Sequence, residues 1–296
     1  MERLPVTLRR ARQSDKADML DLTRNIWDGD DYVPHAWEGW LVDSQGLLVV
    51  AEHEGRVLGL AHLARLSSED WWMEGMRVHP EFEGRGIASQ LHEYLTSYWL
   101  RHGSGTVRLT TASFRQEVHH LCQKQGFQKM LEISFFIAPA LDEPLPEAVF
   151  TGLTGADLVT ALEFIRQSPS LMFSAGMLEL GWRMAPPREV YLADTIQAGR
   201  AWWWRGREGL LSTWDDEDEE GPPIPYIQCI ACSPNQLAEC LLDFRRLAGS
   251  LERKQAGWMA PLHPELLPIL SQTGFKRDWD EAMFLYVKRH PTANVE

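Results

Sequence analysis

The chain has 296 residues, 44% of them apolar and 24% charged, with a formal net charge of −13. That mixture is globular and long enough for two ordinary domains, and its negative balance argues against nucleic acid as the main partner, since phosphate recognition needs clustered Lys and Arg. There is no apolar run of 18 residues to cross a membrane, no secretory leader in MERLPVTLRRARQSDKAD, and no disulfide framework in four cysteines, so no membrane partner and a cytoplasmic setting are expected.

Residues 5–10 (PVTLRR) read as a first strand. Ser14–Asp15 then caps a helix whose apolar positions Ala17, Leu20, Ile26 and Trp27 follow helical spacing. Residues 46–64 read as a β-hairpin turning at Glu54-Gly55. Residues 70–78 (DWWMEGMRV) read as a strand closed by Pro80. From Ile87 a helix follows, because Ile87, Leu91, Tyr94, Leu95, Tyr98 and Trp99 form one stripe at the 3.6-residue period. Residues 106–112 predict a strand, 115–125 a helix and 132–138 a last strand, giving the order β-α-β-β-β-α-β-α-β. The proline-rich stretch 139–148 marks a domain boundary, so the expected domains are 1–140 and 149–296.

The second half reads as a worn copy of the first. REGLLSTW (207–214) echoes EGRVLGLA with Gly209 opposite Gly55, and Pro234 stands opposite Pro80, both pairs 154 residues apart. Gly274 stands opposite Gly126 at a separation of 148, so six residues are missing where the first half has its EFEGRGIA turn. Cys229-Ile-Ala-Cys232 lacks a second pair, and no metal site is expected there. Trp202-Trp203-Trp204 reads as a packed strand and Asp215–Glu220 as a solvated loop.

The sharpest motif is RVHPEFEGRGIAS, residues 77–89, set between a strand and the periodic helix. Gly84 and Gly86 allow a tight turn and close approach of a ligand. The first amides of the following helix lack intrahelical partners and point outward, which makes a cradle for an anion such as a diphosphate. A dinucleotide fingerprint is excluded by the missing third glycine, and a Walker loop by the absence of Gly-Lys-Ser/Thr.

VHPEFEGRGIASQLHEYL, followed by HHLCQKQGF and a closing strand, resembles the Gcn5-related N-acetyltransferase (GNAT) superfamily over about residues 6–138. The resemblance implies an α/β (α+β) GNAT fold with a mixed, mostly antiparallel sheet, followed by a second, degenerate GNAT-like domain. It implies acetyl-CoA as co-substrate, with the cofactor motif met by Glu83-Gly84-Arg85-Gly86-Ile87-Ala88. The backbone of Gly84, Arg85, Gly86, Ile87, Ala88 and Ser89 would hold the pyrophosphate, and Met76, Arg77 and Val78 would run beside the pantetheine arm. Glu83 departs from the usual Gln or Arg. IWDGDDYVPHAWEGWL and WMEGMRVHPEFEGRGIASQL are also similar to histidine N-acetyltransferase-like two-domain proteins, which implies a small amino acid or related amine as acceptor.

Acetyl transfer to an amine needs a base, because a free α-amine has a pKa near 8. Glu74, on the strand before the glycine turn and flanked by Trp71, Trp72, Met73 and Met76, is the candidate; an ion-paired strand glutamate is the other reading. No acid is assigned: Cys122 stands where many members of the superfamily have a Tyr, and a small buried helix residue reads as well there. Residues 25–55 contain no Lys or Arg, and Asp28, Asp31 and Tyr32 are candidates to meet a cationic acceptor, or else form a solvated acidic loop. The leading reading is an N-acetyltransferase for a small-molecule amine. Protein or peptide N-acetylation and a non-catalytic acetyl-CoA sensor are the alternatives, and oligomeric state is not readable.

Overall fold

The computed structural model describes residues 3–216 and 223–291. The chain divides into two compact units, one of Met1–Thr111, Arg115–Lys129 and Tyr286–Glu296, the other of Ala112–Phe114 and Met130–Leu285.

The first unit runs β1 (Thr7–Arg10), α1 (Lys16–Thr23), α2 (Val33–Val42), β2 (Leu47–His53), β3 (Arg56–Arg65), β4 (Asp70–Val78), α3 (Ile87–His102), β5 (Thr106–Ala112) and α4 (Gln116–Lys124). Strands β1 to β4 pair antiparallel in sequence order, and β5 pairs parallel to β4. The β2–β3 turn forms because Glu54 and Gly55 both take left-handed backbone angles (φ 50° and 82°), the twist a two-residue hairpin needs. Helix α3 buries Ile87, Leu91, Leu95 and Trp99, the stripe expected of it. Met19, Leu22 and Trp37 from α1 and α2 close over Leu48, Val50, Val57 and Leu60.

The sequence reading missed α2. Pro34 lies in its first turn, where a missing N–H costs nothing, so the proline that suggested a loop starts a helix.

The second unit holds most of β6 (Gln128–Pro139), then β7 (Phe150–Gly152), α5 (Leu158–Gln167), β8 (Leu178–Glu179), β9 (Met184–Ala185), α6 (Glu189–Gln197) and β10 (Ala201–Trp204). There follow β11 (Gly209–Asp216), β12 (Ile224–Ala231), α7 (Leu237–Ser250), β13 (Gln255–Pro261), α8 (Leu266–Gln272), β14 (Lys276–Arg277) and the start of β15 (Met283–Arg289). Its sheet is ordered β6-β13-β12-β11-β10-β7. Asp215 and Asp216 extend β11 rather than opening a loop; the rest of that acidic run, residues 217–220, lies outside the described residues.

The division differs from 1–140 and 149–296 by the placement of two strands. Residues 133–139 pair antiparallel with β13, inside the second unit. Residues 286–289 of β15 lie beside β5, inside the first unit, where His290 N–H continues the contact to the Gly105 carbonyl at 2.8 Å. Sheet edges accept any strand with matching hydrogen-bonding groups, so pairing rather than the proline-rich segment sets the division.

The worn-copy reading has a structural counterpart. In each unit an antiparallel hairpin leads through a proline-initiated turn (Pro80–Phe82, Pro234–Gln236) and a long helix to a parallel strand. Pro80 stands seven positions before the start of α3, whereas Pro234 stands three before the start of α7. Four of the six missing residues therefore come from the glycine turn. Among the described residues no helix is long and apolar enough to cross a membrane.

Candidate functional site

The site grows from one irregularity in β4. Gly59 pairs with Val78 and Leu60 with Arg77, but His62 pairs with Glu74, so two residues of β4, Gly75 and Met76, oppose the single Ala61. This is a β-bulge, and it rests on Gly75 at φ 65°. A Cβ at Gly75 would also lie 2.5 Å from the Trp40 ring, so only glycine lets the indole sit against the bulge.

The bulge bends β4 away from β5. The parallel pairing covers Asp70↔Thr106, Trp71↔Val107 and Trp72↔Arg108 and then stops, although both strands continue. Past Trp72 the two strands no longer pair, so Met76, Arg77 and Val78 follow on a stretch of β4 that is paired to β3 but not to β5. A ligand arm with its own amides fits such a gap as an added strand would.

At the end of β4 the chain enters the glycine turn. Gly84 and Gly86 have φ 71° and 77°, and Gly86 is the residue from which α3 springs. The turn is held from behind, since Leu4 N–H donates to the Arg85 carbonyl (3.0 Å) and the Gln90 side-chain amide donates to the Leu4 carbonyl (2.9 Å). Glu83 and Gly84 are exposed, Ala88 and Ser89 half-buried, and Arg85 lies over the Phe82 ring at 5.0 Å. Ile87 instead anchors the helix in the core. The left-handed glycines and the outward first amides of α3 fit a diphosphate, so these residues could hold the pyrophosphate of a coenzyme A thioester.

The structure brings Glu74 and Tyr32 together. The Glu74 side chain is 10% exposed, and its Oε1 lies 3.0 Å from His62 Nδ1. Tyr32 is 44% exposed as a residue, but burial of its hydroxyl end and the nearby Glu74 charge push its pKa up to about 12. It therefore stays a neutral phenol at any working pH. The Trp40 ring stands edge-on to Tyr32 (6.0 Å between centroids) and is stacked on His62 (4.6 Å, 16° between planes).

Asp31, a candidate to meet a cationic acceptor, is already paired within the chain. It is buried, its two oxygens accept 2.8 Å hydrogen bonds from the Arg77 guanidinium, and Oδ1 also accepts from Val33 N–H at the start of α2. Arg77, expected along the cofactor arm, contributes backbone there; its side chain turns to Asp31 and lies over the Tyr32 ring at 5.4 Å. Removing one partner of a buried pair leaves an uncompensated charge, at a cost of about 3–5 kcal/mol. A change at Asp31 would thus report on folding before it reported on acceptor binding. Asp28 is exposed in the turn Ile26–Gly29, with φ 58°.

Cys122 is fully buried, and burial pushes its thiol pKa up to about 12, so the packed reading accounts for it. Its neighbour His119 is buried and shares a 3.1 Å hydrogen bond with the Tyr286 hydroxyl. Sequence reasoning missed Trp40, His62 and Asp43, whose Oδ2 lies 3.7 Å from His62 Nε2. No residue pattern in the hairpin 46–64 singles out His62, and the bulge conceals which β4 residue it meets.

Residues 15–127 match the model of the acetyltransferase (GNAT) family. A histidine N-acetyltransferase of Oreochromis niloticus is 29% identical over 82 residues, 27% of this chain and 24% of the relative. The chain thus spans about a quarter of the length of that curated relative. A GCN5-related N-acetyltransferase from Sphaerobacter thermophilus superposes with a TM-score of 0.62 at 15% identity, covering 96% of both chains. A tandem GNAT protein from the clavulanic acid biosynthesis pathway superposes with a TM-score of 0.60 at 13% identity, covering 96% of this chain and 98% of its own. At these identities the structural likeness concerns the fold: a GNAT fold followed by a second GNAT-like half.

Proposed function

We propose that this chain, whose residues 15–127 form a GNAT acetyltransferase domain, is an acyltransferase that moves the acetyl group of acetyl-CoA to an amine of a small molecule, an amino acid or a related amine. The observation that carries the reading is the Gly75 bulge. It splays β4 from β5 beside the glycine turn and, in the same stroke, aims Glu74 into the company of Tyr32, Trp40 and His62.

Acetyl-CoA would supply the acyl group as a thioester. The amides of residues 84–89 would hold its pyrophosphate, and the backbone of residues 76–78 would pair with its arm. An α-amine with a pKa near 8 is mostly protonated at neutral pH, so Glu74 would take its proton before or during attack. Tyr32 and Trp40 would form an aromatic wall against the acceptor, and the Asp31–Arg77 pair would fix that wall. The histidine acceptor named for the relative supports a small amine. The net charge of −13 speaks against nucleic acid, and four free, buried cysteines fit a cytoplasmic setting.

The test is thiol release from acetyl-CoA against the twenty amino acids, polyamines, an aminoglycoside and short peptides, with a no-acceptor control. Turnover with one amino acid or amine is expected. Turnover with peptides alone would move the acceptor to proteins, and tight acetyl-CoA binding with no turnover would make the chain a sensor.

A further inference from the structure

The second unit keeps a cleft of its own. Strands β12 and β13 run parallel but pair only at Tyr226↔Gly257, although β12 continues to Ala231 and β13 to Pro261. Past that point lies a cavity of about 20 Å³, lined by Gln228 of β12 and Met259 of β13 together with Ser170, Glu179 and Met184. Its place corresponds to the one in the first unit where β4 and β5 cease to pair. The glycine turn that could hold a diphosphate is shortened away here, so the cleft is open to a different ligand.

The acid in that lining is Glu179, which is 2% exposed. Its Oε1 accepts from Trp182 N–H (2.7 Å) and its Oε2 from the Trp214 indole N–H. Both donors are neutral, and no Lys or Arg among the described residues pairs with it. Burial, with the charge of Asp216 on β11 adding to it, pushes its pKa up to about 8. A buried carboxyl without a countercharge resists ionisation, and a cation placed beside it reverses that. An aromatic wall stands next to the acid. Trp182, in the turn between β8 and β9, holds a left-handed backbone (φ 66°) and is 47% exposed. Such a conformation is strained for a bulky residue and is held here by the bond to Glu179. The Trp182 ring lies 4.8 Å from the Phe135 ring. Phe135 pairs with Met259 of the cavity lining, so both side chains point to one face of the sheet.

The cavity admits one water-sized group, which is the size of an ammonium head. We propose that the second unit binds a small primary alkylammonium ion, with its head in the cavity against Glu179 and its hydrocarbon tail along Trp182 and Phe135. The faces of the rings attract the charge, and their edges and the methionines receive the tail. An amine held as a cation has no lone pair with which to attack a thioester, so this site binds its ligand without acetylating it. It stands independently of the transfer proposed at Glu74.

The experiment is isothermal titration of the full chain at pH 7 with butylammonium chloride and with butan-1-ol, its neutral counterpart. It is repeated on Glu179→Gln, Trp182→Leu and Glu74→Gln, with thermal melts confirming that each folds. The native chain should bind the ammonium about tenfold tighter than the alcohol or better, and Glu179→Gln should lose that preference. Trp182→Leu should weaken ammonium binding by about threefold, while Glu74→Gln leaves it unchanged. The carboxyl gives its proton to the buffer as it meets the cation. Titrations in phosphate and in MOPS should therefore differ by the heat of about one proton for the native chain and by none for Glu179→Gln. No binding, equal binding of the alcohol, or an ammonium affinity unchanged in Glu179→Gln overturns the inference. So does binding lost in Glu74→Gln alone, which would place the ammonium at the acceptor site of the proposed function.

Discussion

At the scale of single residues, two buried histidines show how burial alone does not define a role. His62 has carboxylates at both nitrogens. His92 on α3 is 1% exposed, meets the Phe127 ring edge-on at 5.3 Å, and has no hydrogen-bond partner at either nitrogen. Burial, assisted by the charge of Lys288, pushes its pKa down to about 4. The fold therefore holds His92 neutral, while the unfolded chain takes up a proton below about pH 6.5. Stability is then full above pH 6.5 and is lost as pH falls toward 4, by up to about 3 kcal/mol. His92→Leu removes that titration. Between pH 7 and 4.5, urea unfolding should show the native chain losing about 2–3 kcal/mol more than the variant. Parallel losses in the two proteins would contradict the assignment. That Glu74 sits on the strand before the glycine turn was legible at this scale, whereas its partner His62 was not, because the pairing crosses a bulge. The pairing of Asp31 was not legible because a sequence shows a charge without showing its partner, and Arg77 lies 46 positions away.

At the scale of elements, the turn between β4 and α3 carried most of the readable signal. Gly84 and Gly86 declare themselves because few other residues hold φ near 70–80°. The bulge was not legible. A lone Gly75 inside an alternating strand marks a bulge or a close approach, and here it is both, but its register depends on the longer β3–β4 connection, which fixes no pairing. A side chain at Gly86 would meet Arg3 Cγ at 3.2 Å and would strain the left-handed backbone. Gly86→Val should thus raise the KM for acetyl-CoA at least tenfold, with the acceptor KM nearly unchanged, in steady-state assays varying each substrate. An unaltered acetyl-CoA KM would separate the turn from the cofactor.

At the scale of the whole molecule, the internal repeat was visible in a shared offset of 154 residues, and the loss of the glycine turn from the second half in its drop to 148. What could not be read was which strand completes which sheet. β15 carries no signal that residues 286–289 lie beside β5, because backbone pairing is blind to distance along the chain. The first unit thus needs the far end of the sequence, with Tyr286 bonded to His119 and Lys288 donating to the Gln125 carbonyl at 2.5 Å. The proposed transfer requires Glu74 to act as base where β4 and β5 cease to pair. The measurement that reaches it most directly is kcat at pH 7 for Glu74→Gln in the full chain, with acetyl-CoA affinity determined on the same protein. Affinity within about twofold of native and a kcat lower by about 10²–10⁴ is the predicted result. A kcat near that of the native chain would remove Glu74 from the chemistry.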